Sequence, residues 1–137
     1  MIGDFTNNPQ WVGNSKAFDV NSSFQLQSND TIANSSFYLV TANSLATLAQ
    51  SEFWIKINFN PSSANYIDVF LTSSSSDLSA SSNQGYFIRI GNTDDEISLY
   101  RKDLNGAITK IIDGENGILN HSSNVMKIKV TRDAANH

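Results

Sequence analysis

The sequence predicts an all-β fold, an antiparallel sandwich of two sheets, and three observations carry that prediction. Residues 53–59, 66–71, 86–90, 97–101 and 126–131 alternate apolar and polar side chains with period two. That period belongs to strands, whose successive side chains point to opposite faces. Clusters of Ser, Asn, Asp and Gly separate these segments, as turns do in a strand-by-strand architecture. Alternation in place of solid apolar runs gives each strand one buried and one wetted face, which is antiparallel behaviour.

Taken in order, residues 4–13 are turn-rich, with Phe5 and Trp11 as apolar anchors. Short strands are expected at 17–20, 24–28 and 36–41. Residues 42–50 are the one stretch with helical potential; short, uncapped at the end and flanked by strands, they read as a connection. The longest strand is expected at 51–60, stopped by Pro61 and a polar turn. Residues 72–85 are Ser-rich with Leu78 as their sole large apolar residue, which makes them a surface loop. Residues 91–95 form a tighter turn. Asn105-Gly106 is the pair that closes two-residue hairpins, so 97–102 and 107–113 are expected to pair antiparallel. Residues 113–117 make another turn. The last strand runs into 132–137, a turn with no partner strand after it. No composition shift interrupts the chain, so residues 1–137 read as a single domain.

A chain of 137 residues can build one core, burying roughly two thirds of its unfolded surface. Apolar residues are 39% and charged residues 16%, and 20 Ser with 17 Asn do the solvating instead. Eight Phe, four Tyr and two Trp argue against disorder. The net charge of −4 and the lack of clustered cations disfavour nucleic acid, because phosphate neutralisation needs a basic footprint. No apolar run approaches the roughly 18 residues of a membrane helix, so no membrane span is expected. The start at Met1-Ile2-Gly3-Asp4 reads as one without a signal peptide, placed directly before a folded domain. With no cysteine, neither disulfides nor thiolate metal sites exist.

Catalysis finds little support in these residues. Glycosidases on sandwich folds place two carboxylates roughly 5–9 Å apart across the sugar bond. Glu52 stands alone before its strand, Glu96 and Glu115 read as turn residues, and the adjacent acids of Asp94-Asp95-Glu96 diverge on an extended chain. His121 and His137 are the only histidines, and no Gly-x-Ser-x-Gly elbow is present. Two histidines without cysteine cannot supply a tetrahedral zinc site. The chain is therefore expected not to be an enzyme.

The wording of the strands carries a resemblance. Asp4-Phe5-Thr6, Asn8-Pro9-Gln10-Trp11-Val12-Gly13 and Phe24-Gln25-Leu26-Gln27 come first, then Phe53-Trp54-Ile55-Lys56 and Asn60-Pro61-Ser62-Ser63-Ala64-Asn65-Tyr66. Gly85-Tyr86-Phe87-Ile88-Arg89-Ile90-Gly91, Ile97-Ser98-Leu99-Tyr100-Arg101 and Lys127-Ile128-Lys129-Val130-Thr131-Arg132-Asp133 follow. Their order and spacing resemble the amino-terminal domain of large secreted Bacteroidetes proteins in which lamin-tail-like domains often follow. More distantly they are similar to the concanavalin A-like, laminin-G-like jelly roll. The resemblance implies a two-sheet jelly roll, bacterial secretion or cell-surface display, and no established activity. In that group a Gly-Asn-Trp-like turn and a closing strand follow the Val-Thr-Arg-Asp segment. Here the chain ends at His137, so the last strand or strands are expected to be missing from a piece of a larger exported protein.

Two candidate sites result. If Phe53, Ile55, Ile57 and Phe59 face the core, an outer face holding Trp54, Lys56, Tyr66, Asp68, Phe70 and Tyr100 mixes aromatic plates with hydrogen-bonding groups, which suits stacked sugar rings. The competing reading covers Trp54 and Phe70 and makes a second small core. No motif requires a cofactor. Calcium is the one candidate, since related sandwiches hold it with loop oxygens and Asp94, Asp95, Asp113 and Glu115 sit in turns, as hard cations prefer. The expected role is a carbohydrate-binding or cell-surface attachment module, with a structural spacer or protein-interaction domain as the alternative. Partners would be a glycan or a cell-surface component. The strand at 127–132, an edge partly guarded by Lys127 and Lys129, is a candidate for dimer pairing.

Overall fold

The structure, a computed structural model, describes residues 10–43 and 49–133. The chain divides into two compact units, Met1–Ser44 with Ser76–Leu78, and Leu45–Ser75 with Ser79–His137. The expected anchor Phe5, most of the 42–50 connection and the end of the last turn lie outside the described residues.

In the first unit β1 (Trp11–Gly13) pairs antiparallel with β4 (Leu39–Thr41), and β2 (Phe18–Val20) with β3 (Leu26–Ser28). β1 forms where a turn-rich stretch was expected, and β2, β3 and β4 are shorter than the strands expected at 17–20, 24–28 and 36–41; the β2–β3 hairpin has a local reason. Asn21 Oδ1 accepts the N–H groups of Ser23 and Gln25 at 2.9 and 3.0 Å, which draws residues 21–25 into a turn. Phe24 belongs to that turn, with φ of 61° and 70% of its surface exposed. The left-handed conformation costs a bulky residue about 1–2 kcal/mol, and no burial of the ring offsets it. Phe18 and Phe37 meet edge to face at 5.3 Å inside this unit. Tyr38 donates its hydroxyl to Asp77 at 3.4 Å, tying the 76–78 segment to it.

The second unit is a sandwich of antiparallel sheets. β5 (Ala49–Ile57) pairs with β10 (Asn124–Arg132), from Asn124 opposite Ile57 to Arg132 opposite Ala49. β6 (Tyr66–Ser73), β7 (Gly85–Gly91), β8 (Glu96–Lys102) and β9 (Ile108–Ile112) form a four-stranded meander. β5 starts earlier than predicted and stops at Ile57, three residues short of Asn60, because its length follows its pairing with β10. The β8–β9 hairpin forms as expected, through a different turn. Gly106 N–H donates to Asp103 and Asp103 N–H to Ala107, both at 2.9 Å, with Gly106 at φ 79°. This is the three-residue loop with a bulged glycine, and not the two-residue turn that Asn-Gly suggests.

Ile57, Ile88, Ile90 and Leu119 are the buried centre of the core. Phe53, Ile55, Met126, Ile128 and Val130 reach it from one sheet, and Ile67, Val69, Leu71, Ile97 and Leu99 from the other. The inward faces predicted for β5, β6 and β8 are thus the observed ones. Leu119 comes from the connection between β9 and β10, where its N–H donates to the Asp95 carbonyl at 2.9 Å. Among the described residues β10 pairs with β5 alone, and β6 and β9 each have one neighbour, so these strands carry open edges. No helix among the described residues is long and apolar enough to cross a membrane.

Replacing Ile90, which has no exposed surface, by Ala is expected to cost about 2–5 kcal/mol in urea denaturation. Ile112→Ala, at a position 60% exposed, is expected to stay within about 0.5 kcal/mol of wild type. Equal losses at the two positions would contradict this placement of the core.

Candidate functional site

The six residues of the predicted aromatic platform fall on two surfaces. Trp54 and Lys56 stand on the outward face of β5, where Lys127 and Val125 of β10 lie opposite them. Tyr66, Asp68, Phe70 and Tyr100 stand on the outward face of the meander. The core separates the two sheets, so these faces point away from each other and the six do not form one platform. Trp54 is 49% exposed, whereas Tyr100 is 9% exposed. Phe70, Phe87 and Tyr100 stack in a row across β6, β7 and β8 at 5.0 and 5.5 Å. Register explains the row, because Phe70 and Tyr100 are the cross-strand partners of Phe87. On the meander the predicted plates are largely a second packed layer.

Arg89 organises that layer. It lies opposite Asp68 in the register, and its Nε and Nη2 reach the two carboxylate oxygens at 2.8 Å each. The guanidinium carbon is 4.3 Å from the Tyr66 ring centre, and 5.3 and 5.4 Å from Tyr100 and Phe87. The hydrogen bonds to Asp68 hold Arg89 more firmly protonated than usual, against the effect of burial. A two-toothed pair in such an aromatic setting fixes both side chains.

A second polar cluster corrects the reading of Glu96 as a turn residue. Glu96 opens β8 and is 2% exposed. Its Oε1 accepts the Ser98 hydroxyl at 2.7 Å and meets the Lys110 ammonium at 2.6 Å, with the Tyr100 hydroxyl at 3.5 Å. The same ammonium contacts Asp113 at 2.6 Å and Asp94 at 3.9 Å. The two acids at i and i+2 of the 94–96 triplet therefore converge on one cation. Gly114 N–H donates to the Ser98 hydroxyl at 2.8 Å, and a Cβ on Gly114 would overlap the Ile97 carbonyl. Only glycine permits this approach. Of the four calcium candidates, Asp94 and Asp113 enter the cluster; Asp95 contributes its carbonyl to Leu119, and Glu115 stays on an exposed turn. Among the described residues no three acidic or histidine side chains are arranged to hold a metal.

An open groove lies at the other end of the meander, and sequence reasoning missed it. It is a depression of about 390 Å³ lined by residues that include Thr72, Ser74, Gln84, Tyr86, Arg101 and Asp103. A register shift between Phe70 and Thr72 turns Thr72 so that its hydroxyl accepts the Tyr86 N–H at 3.1 Å. Gly85 lets the strands close there, since a Cβ would collide with the Thr72 carbonyl. Asn83, with no exposed surface, pins the neighbouring loop: its Oδ1 accepts the Ser73 hydroxyl at 2.8 Å and the Ser75 N–H at 3.2 Å. Lys102 donates to the Ala80 carbonyl at 2.8 Å and holds the loop's far side. On this frame Tyr86 presents a ring 38% exposed beside Arg101, its cross-strand partner. Arg101 forks onto Asp103 at 2.9 and 3.2 Å, a pair that raises its pKa. One exposed ring next to a fixed charged fork and several hydroxyls suits a polar ring-shaped ligand.

No family model, curated protein or solved structure matches this chain. Tyr86 and Arg101 were legible as strand residues, but the glycine and the bulge that bring them to an open end carry no periodic signal.

The Lys110 cluster makes stability depend on pH in a definite direction. The hydrogen bond from Lys110 holds the Asp113 carboxyl below its ordinary value of 3.8. The bonds to Asp113 and then Glu96 hold Lys110 above its ordinary 10.5. A depressed carboxyl contributes stability above its unfolded pKa and loses it as pH falls through the folded value. A raised ammonium contributes fully below its unfolded pKa and loses it as pH rises through the folded one. Wild type is expected to melt above Asp113→Asn at about pH 7, and the gap is expected to narrow as pH falls below 3.8 and on through the lower folded value. A gap that survived at the acid end would mean the Asp113 carboxylate is not its source.

Proposed function

We propose that this chain is a non-catalytic extracellular β-sandwich module that binds carbohydrate in the groove at the end of the meander. The observation that carries the reading is the half-exposed Tyr86 ring set beside the Arg101–Asp103 fork. Sugar rings stack their C–H faces on such a ring, while the fork and the Thr72 and Gln84 side chains meet hydroxyls. A non-catalytic role is supported by the engagement of Asp68 with Arg89, and of Glu96 and Asp113 with Lys110. Each of these carboxylates already serves a structural cation. The resemblance to secreted Bacteroidetes domains and to the laminin-G-like jelly roll supports display at a bacterial surface or secretion, as does the Ser- and Asn-rich, weakly charged surface. The net charge of −4 argues against nucleic acid as the partner.

A second reading, a spacer or protein-interaction domain, draws on the open edge of β10. Its outward side carries Val125, 60% exposed, and Lys127, in contact with Glu52 at 2.7 Å. In that reading the 127–132 edge pairs with a second copy of the chain.

The test is a glycan array followed by titration with the best oligosaccharide. Tyr86→Ala is expected to weaken binding about tenfold while keeping the wild-type melting curve, and Trp54→Ala to bind as wild type. A blank array, or loss of binding in Trp54→Ala alone, would overturn the groove assignment. A dimer in light scattering that Val125→Lys abolishes while leaving the melting curve unchanged would favour the second reading.

A further inference from the structure

The groove belongs to the meander, and the other sheet carries an outward face on which the groove makes no demand. There the β5–β10 register sets Lys56 opposite Val125, Trp54 opposite Lys127 and Glu52 opposite Lys129. All six side chains are exposed, and the indole stands about half open to solvent at 49%. The charge on this face is opposite to that of the chain. The whole sequence carries −4, yet three of its nine Lys and Arg residues stand here against one acid, Glu52. Glu52 meets Lys127 at 2.7 Å, an exposed pair whose attraction water largely screens. Among the described residues neither Lys56 nor Lys129 has an ion-pair partner.

Strand geometry sets the spacing of these charges. Same-face neighbours along a strand are about 7 Å apart, so Lys56, Lys127 and Lys129 occupy three successive rungs spanning about 14 Å, with Trp54 on the middle one. A small anion reaches one of these ammonium groups, whereas a chain of anionic units meets all three. The indole lies among lysines of similar reach and does not stand proud of them, which suits a ligand lying along the sheet better than a membrane that a ring must penetrate. The net charge of −4 keeps the attraction local, so the ring contact is needed beside the charges.

The geometry points to a second ligand face on β5 and β10, which takes an acidic, uronate-bearing polysaccharide. Carboxylates of successive sugar units meet Lys56, Lys127 and Lys129, while one ring stacks its C–H face on Trp54. This face works independently of the groove, whose ring and charged fork, Tyr86 and Arg101–Asp103, stand on the other sheet.

Affinity electrophoresis tests this, with polygalacturonate as the probe and its methyl ester as the uncharged control. Wild type is expected to be retarded by polygalacturonate well beyond the ester, and raising salt from about 50 mM to about 500 mM is expected to weaken that binding about tenfold. Lys56→Gln with Lys129→Gln is expected to lose the difference between acid and ester. Trp54→Ala is expected to weaken polygalacturonate binding about fivefold. Both variants are expected to keep the wild-type melting curve, since the positions are exposed. Tyr86→Ala, in the groove, is expected to leave polygalacturonate binding unchanged, so failure here and failure of the groove reading are separate results. Equal retardation by acid and ester would overturn the proposal, as would a lysine double variant or Trp54→Ala that binds as wild type. So would binding to vesicles of anionic phospholipid, or to single-stranded DNA, without binding to polygalacturonate.

Discussion

The pairing of β5 with β10 is the constraint on which the larger unit depends. Asn124 must return to Ile57 after the whole meander has been laid down, so the pairing closes a long loop and its entropy cost precedes its reward. Once made, it aligns Phe53, Ile55 and Ile57 with Ile128, Met126 and Asn124 and presents one continuous inward face. The meander has no comparable difficulty. Each of its strands pairs with a sequence neighbour, so it can form locally and then bury Ile88 and Ile90 against the ready surface.

What was legible in the sequence follows from this division between local and distant information. Parity along a strand is local, and alternation in residues 53–57, 67–71 and 97–99 assigned the inward faces as the structure has them. Sheet membership is not local. Trp54 and Tyr66 share the same outward parity, yet they stand on opposite sides of the core because β5 pairs with β10 and β6 with β7. Glu96 looked like a turn acid because its neighbours are Asp94 and Asp95; only the β8–β9 pairing brings Lys110 to it. Arg89 was equally inconspicuous until register set it opposite Asp68. The groove depended on a bulge and on Gly85, neither of which leaves a periodic trace.

The outward face of the meander shows how a low-charge chain spends the charges it has. Buried ion pairs seldom add net stability, since desolvation offsets attraction. Their geometry is nevertheless demanding, and Arg89 between Asp68 and three rings accepts only one register of β6, β7 and β8. A strand slip by one residue would carry Arg89 into the core and Ile88 or Ile90 outward. The aromatic and ionic layer thus specifies alignment where the apolar core alone would tolerate alternatives.

Lys110 has one more consequence, which concerns solubility. β9 is an open-edged strand with Ile108, Ile111 and Ile112 all 45–60% exposed. Lysines on such strands ordinarily act as gatekeepers, keeping a flat apolar edge from templating a neighbour. The lysine of β9 is turned onto Glu96 and Asp113, while β10 keeps Lys127 largely in solvent. By satisfying the carboxylates beside it, Lys110 leaves the exposed isoleucines of β9 without a free charge next to them, and the cation that orders the outer layer of the meander is not available to guard that strand's edge.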